Sequence, residues 1–274
     1  MSAHVTSMRD ALYEVPGPKT KKKMLVGTIV SLLAVVALFA WIVYRFWLKG
    51  QLSYRYWKVF SWRTTWAYLG QGLVGTFEVA LTAGAIALVL GMVLMLGRTS
   101  RLKVLRGICA VITNFFRGVP SLLFIYAFFF VIPSMGLKMS SFWMLTIPIA
   151  LAASGVLAEV FRAGVNAVPR GQTEAGLSIG LSPWKVKQKI VLPQAIRFVI
   201  PSLISQLVVV VKDTALAYVV TYPDLMQNAQ VLRTNYDALI PTYLVVAVIY
   251  ILINYAINKV SVYVSHRTGA KIIR

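Results

Sequence analysis

Acidic side chains are scarce in this chain of 274 residues: 8 Asp and Glu face 28 Lys and Arg, for a net charge of +20. Charged residues of both signs make up only 13%, about half the share of a soluble domain. With 58% hydrophobic residues and a mean hydropathy of +0.74, a soluble helical protein is a poor reading, and lipid is the expected solvent. A pI near 10.3 would point to nucleic acid in a soluble chain. Here the basic residues are expected to sort to one side of a membrane, with no nucleic-acid partner. Cys109 is the only cysteine, which excludes an intrachain disulfide. The two histidines, His4 and His266, lie near the termini, and no Cys/His/carboxylate group has metal-ligand spacing, so neither a metal nor a cofactor is expected in this chain. No G-x-x-x-x-G-K-[S/T] occurs, which excludes a P-loop for ATP. No Ser/His/Asp or Cys/His set is available inside the membrane. No catalytic residue is assigned, and the chain is not expected to be an enzyme acting alone.

What is present is a series of long apolar runs. A polar stretch to about residue 23, with Pro16, Pro18 and Lys19, Lys21, Lys22 and Lys23, reads as a disordered basic tail. The apolar run that follows is too long for the hydrophobic core of a signal peptide and lacks a small-residue cleavage site, so it reads as an uncleaved membrane helix. Spans are expected at about 24–47, 72–97, 107–133, 142–165, 196–220 and 240–264, each able to cross about 30 Å of hydrocarbon. The third is the least regular, since Gly118 and Pro120 interrupt it, and its first half is expected to be kinked or interfacial. With the N-terminus inside, 19 Lys and Arg fall in inside segments and 7 in outside ones, which predicts cytoplasmic N- and C-termini. The basic, aromatic-rich segment 51–68 is the outlier and reads as lying on the outer membrane surface.

This orientation places residues 166–195 in the cytoplasm. Pro169 and Gly171 break the preceding span, and Ala175, Leu177 and Ile179 have helical spacing. Gly180 suits the left-handed residue past a helix end, and Ser182-Pro183 suits an N-cap followed by proline at the first helical position. The expectation is a short helix, a glycine turn, and a second helix over 185–191 that stops at Leu192-Pro193. A short helix projecting from the cytoplasmic face can dock into a partner's groove.

These residues also carry a resemblance. Glu174-Ala175, Gly180 five residues after Ala175, and then Ile190-x-Leu192-Pro193 after nine more residues resemble the EAA loop of ABC importer permeases. Gly176 departs from that motif, which usually has a second alanine there, and glycine is expected to loosen the helix by up to about 1 kcal/mol. "FFRGVPSLLFIYAFFF" (115–130), "LAEVFRAGVNAVPRGQTEAGLSIGLS" (157–182) and "QLVVVVKDTALAY" (206–218) are similar to segments of polar amino-acid permeases, and the overall texture resembles the glutamate-uptake permeases of actinobacteria.

The resemblance implies an all-α bacterial cell-membrane protein: a five-helix permease core over 72–274, preceded by an additional helix and external segment over 24–71. It implies that Glu174, Ala175, Gly176, Gly180, Ile190, Leu192 and Pro193 form the surface that couples to an ATPase. The implied partners are a second permease subunit, related or identical, two ATP-binding subunits, an extracytoplasmic substrate-binding protein and the bilayer. The alternative is an ion-gradient-driven secondary amino-acid transporter, which would call for internal repeats that this sequence does not show.

Charges within spans are the pathway candidates, because charge near a bilayer centre is costly and usually faces protein or water. Lys212, Asp213 and Thr214 interrupt the fifth span. Lys212 and Asp213 point about 100° apart and cannot neutralise each other directly, so their partners are expected from other helices, where Arg117 and Glu159 are the available charges, from water or from substrate. Glu159 and Arg162, three residues apart, can also pair along one helix. Glu78, early in the second span, is either interfacial or lines the pathway. Ala150, Ala152, Ala153, Ser154, Gly155 and Ala158 give the fourth span a small-residue surface, suited to packing within the chain or against a partner.

Overall fold

The computed structural model describes residues 17–267, with side chains to residue 265. The tail up to residue 16 and His4 lie outside the described residues. The chain divides into two compact units, Met1–Tyr56 and Trp57–Arg274. The first contains α1, Pro18–Leu48, with proline in its first turn, where a missing N–H costs nothing. None of its residues is buried. The helix takes in Lys19 to Lys23, which the sequence assigned to the tail.

The helical residues Tyr54–Trp57 (α2) straddle the division between the units, and in the second unit a 3₁₀ turn, Lys58–Ser61, precedes α3, Arg63–Arg98. Helix α3 begins nine residues before the expected start of the span at residue 72, so residues 63–68 of the segment read as external are helical and continuous with it. Thr65 and Trp66 donate side-chain hydrogen bonds back to the carbonyls of Val59 and Phe60, which fixes the entry into α3. Two helices, α4 (Lys103–Gly118) and α5 (Ser121–Ser134), follow with a 97° bend between them. Pro120 is the cause: it cannot continue the ladder, and it holds Val119 extended. Next come α6 (Ser141–Ala167), α7 (Arg170–Ser178) and α8 (Pro183–Val186), then a π turn (Lys187–Val191), α9 (Leu192–Asp213) and a 3₁₀ stretch (Thr214–Val220), and finally α10 (Leu225–Tyr236) and α11 (Leu239–Arg267). No strand occurs among the described residues. Among the described residues five helices are long and apolar enough to cross a membrane, and six spans result if α4 and α5 form one broken span.

The core is built around α6, which packs against α3, α4, α5 and α9. Its small residues Ala150, Ala152, Ala153, Ser154, Gly155 and Ala158 are all buried within this chain. They serve internal packing: a Cβ on Gly155 would stand 3.0 Å from the backbone nitrogen of Arg117. Leu145, Ile149, Leu157 and Phe161 fill the same face against Val79, Ala83 and Ala87 of α3 and Val199 and Val210 of α9. Each such apolar side chain contributes roughly 1.5–3 kcal/mol by leaving water; in lipid, the packing itself must hold the helices together.

Two boundaries differ from expectation for a backbone reason. Leu192-Pro193 does not stop the helix. Pro193 has no N–H to give, and the chain meets this by widening one turn: the Leu192 N–H bonds to the Lys187 carbonyl five residues back, and α9 continues from there. Helix α10 was not expected at all. It starts on Asp224, whose Oδ1 accepts from the Gln227 N–H at 2.7 Å.

Candidate functional site

Residues 168–191 form the predicted helical hairpin. Helix α7 ends in Gly180 with φ +80, the left-handed geometry that favours glycine. Ser182 caps α8 by accepting from the Lys185 N–H at 3.5 Å, with Pro183 at the first helical position. Gly176 is the point of closest approach: a Cβ there would meet Ile190 Cδ1 at 2.8 Å and Val186 Cγ2 at 2.9 Å. Glycine at this position therefore closes the hairpin, whatever it costs in helix propensity. Val168, Val186, Val191 and Ala195 form a small buried cluster beneath it. Ile190 packs on that cluster and Leu192 on the main core, so these two residues join the hairpin to the bundle. Pro193 is exposed.

The outer side of the hairpin carries the rest of the motif. Glu174 and Ala175 are exposed, as are Leu177 (44%), Ile179 (75%) and Trp184 (57%). Lys187 Nζ donates to Thr99 Oγ1 just past the end of α3, and Gln194 donates to Gln172 at 3.2 Å. The hairpin is thus fastened to α3 and α9 and leaves an apolar edge with one carboxylate uncovered.

The charged candidates fall into three groups. Arg117 and Glu159 come together, joined by two further arginines: Glu159 Oε1 accepts from Arg98 and forms an ion pair with Arg117 at 3.3 Å, while Oε2 accepts from Arg162 at 2.7 Å. One carboxylate thus ties the last turns of α3 and α4 to α6. Arg117 and Glu159 are paired with each other here, and among the described residues neither forms an ion pair with Lys212 or Asp213. In that group Asp213 Oδ2 accepts from Ser121 Oγ at 2.7 Å, linking the end of α9 to the start of α5. Lys212 is exposed and has no ion pair among the described residues. Thr214 is buried and donates to the Val211 carbonyl at 2.8 Å. The third group is toward the other end of α3, where Glu78 accepts from Tyr222 OH at 3.1 Å. A cavity of about 390 Å³ opens there between Tyr68, Gln71, Glu78, Tyr222 and Asn228.

Beside that cavity the insertion 221–236 sits on α3. Gly72 and Gly75 permit the approach: a Cβ on Gly75 would lie 2.5 Å from the Pro223 carbonyl. Asn228 donates to the Tyr68 carbonyl at 2.8 Å, and Thr76 Oγ1 accepts from the Leu225 N–H at 3.1 Å. Asp224 is fully buried, and Tyr250 OH donates to its Oδ2 at 3.4 Å. Burial pushes the Asp224 carboxyl up to about 6, against the lowering effect of its hydrogen bonds. Burial, then the adjacent Glu78, push the Tyr222 hydroxyl up to about 12. Sequence reasoning did not single out Arg98, Ser121, Tyr222, Asp224 or Tyr250. Of these only Asp224 carried a local signal, an Asp followed three residues later by Gln, the pattern of a helix start.

Residues 87–269 match the family described as binding-protein-dependent transport system inner membrane components. The chain is 36% identical to the glutamate transport system permease protein GluD of Corynebacterium glutamicum over 224 residues, which covers 78% of this chain and 80% of GluD. It is 31% identical to the probable glutamine ABC transporter permease protein GlnP of Bacillus subtilis, with 70% and 89% covered. It is 29% identical to the arginine transport system permease protein ArtQ of the same organism, with 68% and 86% covered. Among solved structures, an amino-acid ABC transporter crystallised with histidines superposes with a TM-score of 0.70 at 24% identity, covering 73% of this chain and 94% of the other, a likeness of fold. The chain belongs to the family of binding-protein-dependent transport system inner membrane components and is the membrane-spanning permease subunit of an amino-acid ABC importer.

Proposed function

We propose that this permease carries glutamate, driven by ATP that a separate subunit hydrolyses, with residues 168–191 as the surface on which that subunit docks. The observation that carries the coupling assignment is the hairpin itself. Its glycine turn and its Ile190–Leu192 attachment are built into the bundle, while Glu174, Ala175, Leu177 and Ile179 face outward with nothing covering them. The working assembly is two permease subunits, identical or related, two ATPases beneath them and an extracytoplasmic binding protein above. The N-terminus and the hairpin are cytoplasmic in this reading, in keeping with the excess of Lys and Arg on that side. Transport proceeds by alternating access, with each face of the pathway opening in turn.

Glutamate rests on the likeness to GluD and on Lys212, an exposed cation one residue from Asp213. An unpaired ammonium group suits an acidic amino acid. Uptake into vesicles holding the full complex tests both parts. Glutamate should enter only with ATP inside, and glutamine, arginine and cystine should compete weakly. Strong competition by glutamine would change the cargo and leave the class intact. Uptake that ignores ATP and collapses with a proton or sodium gradient would refute the coupling.

A further inference from the structure

The geometry points to a groove along α3 and α9 as a binding site for one phospholipid with a primary-amine headgroup, its ammonium held by Glu78 and an acyl chain lying below. This rests on the membrane reading above, but not on the cargo or on ATP coupling.

Depth comes first. Residues 79–97 of α3 carry no charge, with Glu78 before them and Arg98 after them. The twenty residues from Glu78 to Arg98 rise about 30 Å as helix, the thickness of the hydrocarbon core. Glu78 therefore stands where headgroups meet hydrocarbon, on the side of the membrane away from Arg98 and the hairpin. Tyr222, which donates to Glu78 at 3.1 Å, is the amphipathic ring expected at that level.

One stripe of α3 changes character at Glu78. Toward the helix start, Gln71 and Glu78 share a polar cavity with Tyr222 and Asn228. Beyond Glu78 the stripe continues at helical spacing as Leu81, Gly84, Ala85 and Leu88, which line a second cavity of about 360 Å³ with Leu203 and Leu207 of α9. Gln206 is the only polar side chain among the described residues that line it. Gly84 has no side chain to fill the groove, and Leu81 and Leu88 are 60% and 41% exposed. From Glu78 to Leu88 the helix rises about 15 Å, half of the hydrocarbon core and so the depth of one leaflet.

Charge and size fix the occupant. Among the described residues no Lys or Arg lines either cavity, and Glu78 has no ion pair. A carboxylate at headgroup level calls for a cation, and a cation with N–H donors bonds it directly. A primary ammonium supplies both. A quaternary choline has no N–H to donate, and a phosphatidylglycerol headgroup brings like charge. The apolar wall below calls for hydrocarbon attached to that amine. A membrane helix about 10 Å across would occupy roughly 1,200 Å³ over that depth, well beyond the cavity, so a helix of the second permease subunit does not fit within it.

The test uses the complete transporter in nanodiscs of phosphatidylcholine alone, or mixed equally with phosphatidylethanolamine or phosphatidylglycerol. Native mass spectrometry should show selective retention of phosphatidylethanolamine. Glu78→Gln should lower that retention about ten-fold, to the level of phosphatidylcholine, whereas Glu78→Asp should keep the preference. Gly84→Leu, which fills the groove, should lower retention of every phospholipid. A photoreactive residue at Ala85 should cross-link to lipid. Equal retention of phosphatidylethanolamine and phosphatidylcholine by the wild type would overturn the proposal, as would equal retention of phosphatidylethanolamine by the wild type and Glu78→Gln. So would an Ala85 probe that cross-links to the second permease subunit in place of lipid.

Discussion

Two helical insertions interrupt the apolar spans, residues 168–191 and 221–236, and they treat their apolar side chains in opposite ways. The first buries only its inner seam, Val168, Val186 and Val191, and leaves Leu177, Ile179 and Trp184 in the open. The second buries Leu225, Ala229 and Leu232 and presses its backbone onto glycines of α3. An insertion whose apolar residues are covered belongs to the bundle. One whose apolar residues are uncovered, on a frame this well fastened, is where the proposed ATPase contact falls. In that proposal the first is gripped and moved, and the second stays where it is.

The sharpest way to break this contrast is at the grip. Glu174→Lys should leave membrane insertion intact and abolish ATP-driven uptake, because it reverses the one carboxylate on the exposed edge. Gly180→Val should act the same way. Nothing lies within 4 Å of a Cβ at Gly180, so the cost is backbone strain of about 1–3 kcal/mol in a left-handed residue, and Gly180→Asn should retain much of the uptake. Normal transport by Glu174→Lys would remove the assignment.

The second insertion should respond through stability. Gly75→Leu drives a side chain into the Pro223 carbonyl and should cost about 1–3 kcal/mol, read as a lower thermal midpoint with ATPase binding retained. Loss of ATPase binding without loss of stability would erase the distinction between the two insertions.

A smaller effect is expected at Asp224, whose carboxyl is raised to about 6 from an ordinary value of 3.8. A buried acid with a raised pKa destabilises the fold while ionised. That penalty is full above about pH 6 and is relieved as the pH falls toward 3.8. Asp224→Asn keeps the helix cap and removes the ionisation. It should raise stability at pH 7.5 by an amount on the order of 2 kcal/mol and flatten the rise that the wild type shows on acidification. A wild type that loses stability between pH 7 and pH 5, with the loss abolished in Asp224→Asn, would contradict this sign.

Gly176→Ala should be the mildest. Its Cβ meets the flexible end of Ile190 but also Cγ2 of the buried Val186 at 2.9 Å, whose branched side chain gives way less readily. That shift outweighs the up to about 1 kcal/mol of helix propensity that alanine regains, so stability should fall by about 1 kcal/mol and uptake should persist. A large loss of uptake would mean that the close approach at Gly176 sets the docking angle itself.

The same contrast explains what could be read from the chain alone. The hairpin was legible because local rules and a spaced motif agree there: Gly180 for the turn, Ser182-Pro183 for the cap, and Glu174 to Pro193 in register. The spans were legible from hydropathy, and the break in the third from Gly118 and Pro120. Helix α10 was missed because its stability comes from Gly72, Gly75 and Tyr68, some 150 residues away, and its one local signal, Asp224 with Gln227, stands in a stretch with little periodicity. The π turn before Pro193 was missed for a related reason: proline signals a stop unless the surrounding packing makes a widened turn the better solution. Among the charges, the Glu159–Arg162 pair was readable from spacing. Arg98 and Arg117 reach the same carboxylate only because α3 and α4 both pack on α6, which depends on tertiary packing.

Photo-cross-linking places the central contrast under one measurement. A photoreactive residue at Ala175 or Ile179 in the full complex should cross-link to the ATPase subunit, and one at Gln230 in α10 should not. Cross-links to the ATPase from Gln230, or none from either Ala175 or Ile179 in a complex that still transports, would contradict the account.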